Sequence, residues 1–243
     1  MKSVRMACAV LAALVAAPFA AQAEPSCTVA NKEKIYRLEL SVPATFCRTA
    51  GGDPSCTVMP KKSLLQLHGL WPNYKSSGYP TGQCASPGEC KELPAAQGKY
   101  CGYIEPKGLY DSAEWKDLSE AYMAGKEKCL ERHEWVKHGT CTQMAPPEYF
   151  AWALKETKRI ADALALEPDK KMSPAEFNKA VKDKLPELDG AVHIGCKGNK
   201  KNKLVSNLYV IYEWGKEPGK PVKTNSGQNA IGNCGNSFMF PSK

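Results

Sequence analysis

Residues 34–42 read KIYRLELSV, a run in which apolar and polar side chains alternate. Tyr36, Leu38 and Leu40 fall on one face of this run and charged side chains fall on the other, which is the two-residue period of a strand with one buried face. Residues 204–214, LVSNLYVIYEW, alternate in the same way near the other end of the chain. Both runs therefore predict strands of the core sheet.

Helical patterns fill the middle of the chain. Asp111, with Glu114 three residues later, predicts the cap and first turn of a helix. Residues 146–147, a Pro-Pro pair, open a longer helix with apolar residues at three- and four-residue spacing. Residues 173–176, SPAE, are a start signal for a shorter helix that ends near Leu185.

Two more predicted strands, at residues 63–71 and 191–196, complete the pattern. A Gly/Ser/Pro-rich stretch at residues 73–90 predicts a long loop after the first of them. Strands near both ends around central helices indicate an α+β fold, in which a largely antiparallel central sheet packs against several helices in a single domain.

The first residues, 1–23, predict a secretory signal peptide. Lys2 and Arg5 precede an apolar stretch, and residues 21–23, Ala-Gln-Ala, have the form of a cleavage site. The stretch is shorter than the roughly 20 residues that a spanning helix needs. We therefore expect a mature domain at residues 24–243, in the periplasm or secreted, without a membrane anchor.

Charge and cysteine content suit an exported protein with an acidic partner. The net charge of +8 becomes +6 once Lys2 and Arg5 are subtracted, and the eleven cysteines become ten without Cys8. An even number of cysteines in an exported chain favours disulfides over metal thiolates. Positive charge raises the local concentration of phosphate groups. We expect disulfides at Cys84 and Cys90 to restrain the long loop at residues 73–90.

Residues able to carry chemistry concentrate in two short segments. His68 lies within the predicted strand at residues 63–71, and residues 133–138 read HEWVKH. On a helix, Glu134 and His138 lie one turn apart with Lys137 beside them, so that one face carries a carboxylate, an ammonium and an imidazole. The remaining histidine outside these segments, His193, lies in a predicted strand and is expected to be structural.

These groups suit the cleavage of a phosphodiester. Two imidazoles can serve as base and acid in one displacement, and the adjacent Lys137 and Glu134 suit a transition state that gathers charge on phosphoryl oxygens. RNA carries its own nucleophile, the 2′-hydroxyl, and the sequence contains no G-x-S-x-G elbow and no phosphate-cradling glycine loop.

Residues 67–72, LHGLWP, and residues 133–141, HEWVKHGTC, resemble the two active-site motifs of the T2 family of ribonucleases. The run that begins at Tyr36 is similar to that family's first core strand, and Cys196 and Cys234 resemble its C-terminal disulfide. The resemblance implies an α+β fold in which both motifs line one cleft. It also implies metal-independent cleavage of single-stranded RNA through a 2′,3′-cyclic phosphate, with no cofactor, by a chain that we expect to be a monomer.

The same resemblance implies a role for each residue of the site. His138 corresponds to the general base that takes the 2′-hydroxyl proton, and His68 to the general acid that protonates the leaving 5′-oxygen. Glu134 and Lys137 correspond to the pair that stabilises the pentacoordinate phosphate. The other expected substrate contacts are a phosphate-binding histidine and aromatic surfaces for bases: His133, Trp71, Tyr74 and Tyr79. Asn73 stands where many relatives are acidic, so base preference stays open.

Two other functions fit part of the sequence. A zinc hydrolase with an H-E-x-x-H helix needs histidines four residues apart, whereas His133 and His138 are five apart. A non-catalytic secreted protein that binds an anion or RNA could keep the same scaffold, although binding alone has no need of two proton-transfer groups.

Overall fold

A computed structural model of the chain describes residues 34–50, 52–57, 59, 61–74, 100–199 and 202–242. Three predictions lie outside these residues: the leader at residues 1–23, the loop straps Cys84 and Cys90, and the substrate contact Tyr79.

The described strands form one sheet in the order β2-β1-β5-β6-β3, with β4 also paired to β5. The strands are β1 (Lys34–Ser41), β2 (Gln66–Tyr74), β3 (Lys171–Met172), β4 (Val192–Gly198), β5 (Lys203–Glu213) and β6 (Phe238–Met239). Every pair is antiparallel except β5 with β6. The predicted α+β fold with a largely antiparallel sheet is therefore confirmed.

Five α-helices of the described residues connect and cover the strands. They are α1 (Pro43–Cys47), α2 (Ala113–Tyr122), α3 (Leu130–Lys137), α4 (Pro146–Leu164) and α5 (Pro174–Lys184). Helix α4 begins at the predicted proline pair, and α5 has the predicted capping box, in which Ser173 Oγ accepts a hydrogen bond from the Glu176 N–H. None of the helices in the described part of the chain is long and apolar enough to cross a membrane.

Helix α2 differs from its prediction at the N-terminal end. Ser112, and not Asp111, occupies the N-cap position, where its backbone is extended at φ −68° and ψ 145°. The helix stops at Tyr122 because Met123 is extended, at φ −96° and ψ 124°, and bridges to Leu67 of β2. Pairing of Met123 with the sheet edge thus ends the helix.

Strand β2 starts at Gln66 and runs three residues past its predicted end, to Tyr74. It lies at the edge of the sheet and pairs along its length with β1, from Gln66 opposite Ser41 to Tyr74 opposite Lys34. Pro72 is tolerated within β2 because an edge strand needs hydrogen bonds on one side only.

The core lies on one face of the sheet. Tyr36, Leu38 and Leu40 of β1 are fully buried there and belong to one apolar cluster with Phe150 and Leu154 of α4. The opposite face of the central strands is polar and aromatic, and it carries the site described below.

Disulfides join Cys47 to Cys56, Cys101 to Cys129, and Cys196 to Cys234. The last of these is the pair expected from the resemblance. Cys141, the last residue of the second histidine motif, is disulfide-bonded as well. The second motif is therefore fixed covalently on both sides, since Cys129 precedes α3 by one residue.

Candidate active site

His68 occupies a β-bulge in β2. Glu39 of β1 lies opposite Gly69, and the next residue, Leu40, lies opposite Leu67, so His68 is the extra residue between two paired positions. A bulge bends the strand and re-aims a side chain out of the normal alternation. The His68 side chain remains 39% exposed.

Helix α3 presents Glu134 and His138 to the same place. Glu134 is buried, with 1% of its side chain exposed, and His138 caps the end of the helix. Glu134 Oε1 lies 3.5 Å from His68 Nε2, and Glu134 Oε2 lies 3.9 Å from His138 Nε2. The fold thus brings the two motifs together around one carboxyl group.

Trp71 lies between the two imidazoles. Its indole Nε1–H donates a 2.7 Å hydrogen bond to Glu134 Oε2. Its ring centroid is 5.2 Å from that of His68, in an edge-on arrangement, and 5.3 Å from that of His138. The sequence suggested an aromatic surface for a base, and the structure adds a second use of Trp71, which is to hold the carboxyl group in position.

Gly69 allows β2 to approach α3 this closely. A Cβ atom at this position would overlap both Glu134 Oε2 and Trp71 Nε1. Gly139, after the second histidine, is similarly close to its neighbours, because a Cβ there would overlap the ring of Trp135. Both glycines in the two motifs are therefore explained by close contacts.

Tyr149 of α4 fixes the backbone of the first motif, and sequence reasoning missed it. Its hydroxyl donates to the Leu70 carbonyl oxygen at 2.6 Å and accepts from the Leu70 N–H at 3.1 Å. Tyr149 is fully buried. It lies 79 residues from Leu70, so no local sequence pattern could have indicated the contact.

Two other predicted residues, His133 and Lys137, lie on helix α3 with Glu134. His133, on α3, packs its ring against Tyr100 at 4.7 Å and Tyr103 at 5.8 Å between centroids. Lys137 is half-buried in the last turn of the same helix.

Two further predicted residues lie away from the two imidazoles. Tyr74 is 4% exposed at the end of β2, which leaves it little surface to offer a base. His193 stacks in parallel on Tyr209 at 4.4 Å, which agrees with a structural role.

Burial dominates the electrostatics of the centre. It raises the pKa of Glu134 to about 8, against the opposing effects of the Trp71 hydrogen bond and the Lys137 charge. It lowers the pKa of His138 well below 6.5, assisted by the Lys137 and His133 charges. It also lowers the pKa of His68, with help from His133 and Lys128.

The two imidazoles differ in exposure, at 39% of the side chain for His68 and 8% for His138. Since desolvation of the charged form is the main cause of both pKa shifts, the more exposed His68 should keep its proton to a higher pH. Glu134, with its raised pKa, is largely neutral at pH 7.

A second buried carboxylate, Glu39, lies behind the site. Glu39 is 5% exposed and accepts hydrogen bonds from Arg37 and from Asn207 Nδ2, both at 2.8 Å. Its charge raises the pKa of Glu134 further. Arg37 also lies over the ring of Trp71, at 5.4 Å from its centroid. Alternation placed Arg37 and Glu39 on the polar face, but it did not indicate that Glu39 is buried.

A cavity of about 230 Å³ opens beside His68. Aromatic side chains of Phe46 and Tyr100 line it, and Lys128 lies over both rings, at 4.8 and 5.7 Å from their centroids. Gln66 also lines it. Within the described ranges, no group of three His, Cys, Asp or Glu side chains could hold a metal ion.

The fold and the site define a class: a disulfide-bonded α+β domain whose edge strand and central helix set two imidazoles against one buried carboxyl group. Residues 33–234 match the model of the ribonuclease T2 family. Ribonuclease I of Escherichia coli (strain K12) is 29% identical over 199 residues, which cover 74% of this chain and 72% of that protein. Ribonuclease 1 of Arabidopsis thaliana is 28% identical over 222 residues, 82% and 83% of the two chains.

Solved structures share the fold. RNase NT, in complex with 5′-AMP, superposes with a TM-score of 0.62 at 18% identity, covering 87% of this chain and 99% of that one. A mutant of RNase MC1, in complex with 5′-UMP, gives 0.57 at 16% identity, covering 86% and 98%. The chain belongs to the ribonuclease T2 family and is an endoribonuclease of the T2 type.

Proposed function

We propose that the protein cleaves single-stranded RNA by metal-independent transesterification through a 2′,3′-cyclic phosphate, with His138 as general base and His68 as general acid. The observation that carries this proposal is the single carboxyl group, Glu134, with one imidazole on each of its oxygens at 3.5 and 3.9 Å. Base and acid are thereby held within reach of one phosphodiester.

The step balances without a further reactant. His138 Nε2 takes the proton of the 2′-hydroxyl, and the 2′-oxygen forms a bond to phosphorus. The bond from phosphorus to the 5′-oxygen breaks, and His68 supplies the proton that this oxygen acquires. The products are a 2′,3′-cyclic phosphate and a free 5′-hydroxyl, and the two histidines have exchanged protonation states.

Glu134 and Lys137 act on the phosphoryl oxygens. A carboxyl group that is neutral because its pKa is raised to about 8 can lie against a phosphate without repelling it. The Trp71 hydrogen bond holds this group in one orientation. Lys137 then supplies positive charge, which compensates the charge that develops on the phosphoryl oxygens.

The nucleotides on either side of the scissile phosphate have separate surfaces. The cavity beside His68 receives the base of the leaving nucleotide, because the general acid marks the leaving side. Trp71, with Tyr79, contacts the base of the other nucleotide, and His133 contacts a phosphate. The nucleotides named with RNase NT and RNase MC1, 5′-AMP and 5′-UMP, are in keeping with such surfaces. The leader at residues 1–23 directs the chain to the periplasm or the medium, where it acts as a monomer.

Digestion of a defined single-stranded RNA in excess chelator tests the function. We expect cleavage, cyclic phosphate ends early in the digest, and no attack on DNA of the same sequence. His68→Ala and His138→Ala should each reduce the rate by about 10²–10⁴, while His193→Ala, a histidine outside the site, should keep the wild-type rate. Loss of activity in chelator would refute the metal-independent mechanism, and retention of RNA without cleavage would favour the non-catalytic alternative.

A further inference from the structure

The hairpin between β4 and β5 concentrates positive charge that the proposed function does not use. Residues 197–203 read KGNKKNK, with four lysines and no acidic residue. The structure describes both ends of this segment, Lys197 in the last turn of the pairing on β4 and Lys203 at the start of β5. Lys197 also lines the cavity beside His68. Positive charge on the hairpin therefore lies next to the candidate active site.

The strand register decides which way Lys197 points. Cys196 of β4 pairs with Val205 of β5, and both side chains are buried in the core. Because successive side chains of a strand point to opposite faces, Lys197 lies on the face that carries the candidate active site. Lys203 is two residues before Val205, so the same alternation places it on the core side of the hairpin.

The backbone next to Lys197 is held in place. Asn233 Oδ1 accepts a hydrogen bond from the Cys196 N–H, and Asn233 Nδ2 donates one to the Cys196 carbonyl oxygen, both at 2.8 Å. The disulfide between Cys196 and Cys234 adds a covalent restraint. Lys197 is thus presented from a fixed strand end, which reduces the ordering that binding of a ligand would require.

Lys197 differs from the other lysines of the cavity in its pairing. Lys61 pairs with Glu127, and 11% of its side chain is exposed. Lys128 pairs with Asp53 at 2.8 Å, and 16% of its side chain is exposed. Lys197 is exposed, and it has no carboxylate within ion-pair distance among the residues that the structure describes. Its charge, at the rim of the cavity, is therefore open to an anion from solvent.

A phosphate group of the RNA strand matches this charge. The cavity lies on the leaving side of the cut, because it contacts the general acid His68. In a longer RNA the leaving nucleotide carries a further phosphate on its 3′-oxygen, where the strand continues out of the site past the rim. An ammonium group that meets a phosphate releases counterions and adds affinity whatever the base.

We propose that Lys197 binds the phosphate on the 3′ side of the leaving nucleotide, so that the protein contacts RNA beyond the two nucleotides that flank the cut. The inference rests on the proposed function, since only cleavage defines a leaving nucleotide. A contact to the backbone carries no sequence information. It gives instead a preference for longer strands, which weakens as salt screens the charges.

Substrates that differ by one phosphate test the proposal. Uridylyl-adenosine is compared with uridylyl-adenosine 3′-phosphate, in excess chelator and at low salt. The wild-type protein should cleave the 3′-phosphate with about two- to fivefold higher kcat/KM, the range of an exposed ion pair, and high salt should bring this ratio toward one. Uridylyl-adenosine with a 5′-phosphate carries the same added charge on the other side of the cut and separates position from net charge.

Lys197→Ala should bring the ratio for the 3′-phosphate close to one, and Lys197→Arg, which keeps the charge, should preserve it. The ratio for the 5′-phosphate should be the same in Lys197→Ala as in the wild type. Lys203→Ala is the matched control, because it removes the same charge from the core side of the same hairpin, and it should keep the wild-type ratio for the 3′-phosphate.

Equal cleavage of uridylyl-adenosine and its 3′-phosphate by the wild type, or an unchanged ratio in Lys197→Ala, would overturn the inference. An equal loss in Lys203→Ala, or an equal change with the 5′-phosphate, would also overturn it, since either would show general attraction by the net charge. Uridylyl-adenosine is still cleaved in all of these cases. Failure of the wild type to cleave it would instead overturn the proposed function.

Discussion

At the scale of single residues, the site is organised by the carboxyl group of Glu134. His68, Trp71 and His138 all lie against its two oxygens. The spacing in HEWVKH was enough to predict that Glu134 and His138 share a helix face, because residues four apart are neighbours on any helix. The bond from Trp71 could not be predicted, since it joins residues 63 positions apart.

The pH dependence of activity follows from the two imidazoles. The general base must be neutral and the general acid protonated, so kcat/KM rises with pH through the pKa of His138 and falls through the pKa of His68. Both pKa values are lowered from 6.5. We therefore expect a bell-shaped profile with its maximum on the acid side of 6.5, measured as kcat/KM for one dinucleotide across the acid and neutral range. A maximum at neutral or alkaline pH would contradict the assignment of the rise in kcat/KM to His138 and of its fall to His68.

Gly69→Ala tests the close approach of β2 to α3. The added methyl group would overlap the Glu134 carboxyl and the Trp71 indole nitrogen, so both must move and the hydrogen bond between them is lost. We expect kcat to fall by about 10² or more, as for other displaced catalytic groups, in the same dinucleotide assay. Gly219→Ala, remote from the site, approaches Glu213 no closer than 3.1 Å and should keep activity. Near-normal activity of Gly69→Ala would show that the tight contact is dispensable.

At the scale of secondary structure, local patterns and long-range contacts decided different elements. Helices α4 and α5 begin where their sequence signals predicted, because proline at N1 and a capping box act within one turn. Strand β1 likewise ends within one residue of its prediction. The C-terminal ends of strand β2 and helix α2 are instead set by pairing, of Tyr74 with Lys34 and of Met123 with Leu67.

Tyr149→Phe tests how α4 supports the first motif. Removal of the hydroxyl takes a donor from the Leu70 carbonyl and an acceptor from the Leu70 N–H, in a fully buried place. We expect the free energy of unfolding in urea to fall by about 1–3 kcal/mol. Tyr122→Phe is the control, because its hydroxyl bonds Asp162 at an exposed position, and surface changes are usually within about 0.5 kcal/mol. Equal small losses in both variants would show that the Tyr149 contact does not support β2.

At the scale of the whole molecule, the sheet is assembled from segments near both ends of the described chain, and disulfides restrict it. The Cys196–Cys234 bond ties β4 to the segment just before β6 across 38 residues, whereas Cys47–Cys56 spans 9 residues. In the chain-entropy account, a disulfide that closes a longer loop removes more conformational entropy from the unfolded chain.

The paired replacement Cys196→Ser with Cys234→Ser should therefore cost more stability than Cys47→Ser with Cys56→Ser. The chain-entropy relation gives about 4 kcal/mol for the longer loop and about 2.6 kcal/mol for the shorter one. Guanidinium unfolding of the two double variants measures the difference. A larger loss on removal of the short-range bond would show that native packing around each disulfide outweighs loop length.

The sequence alone determined the fold class, the strand β1, the helices α4 and α5, and the helix face that joins Glu134 to His138. These follow from backbone geometry that repeats within a few residues. Only the tertiary structure decided that His68 sits in a bulge against Glu134, that Tyr149 fixes Leu70, and that Glu39 is buried. Each of these depends on strand register and on contacts between distant segments, which no local pattern encodes.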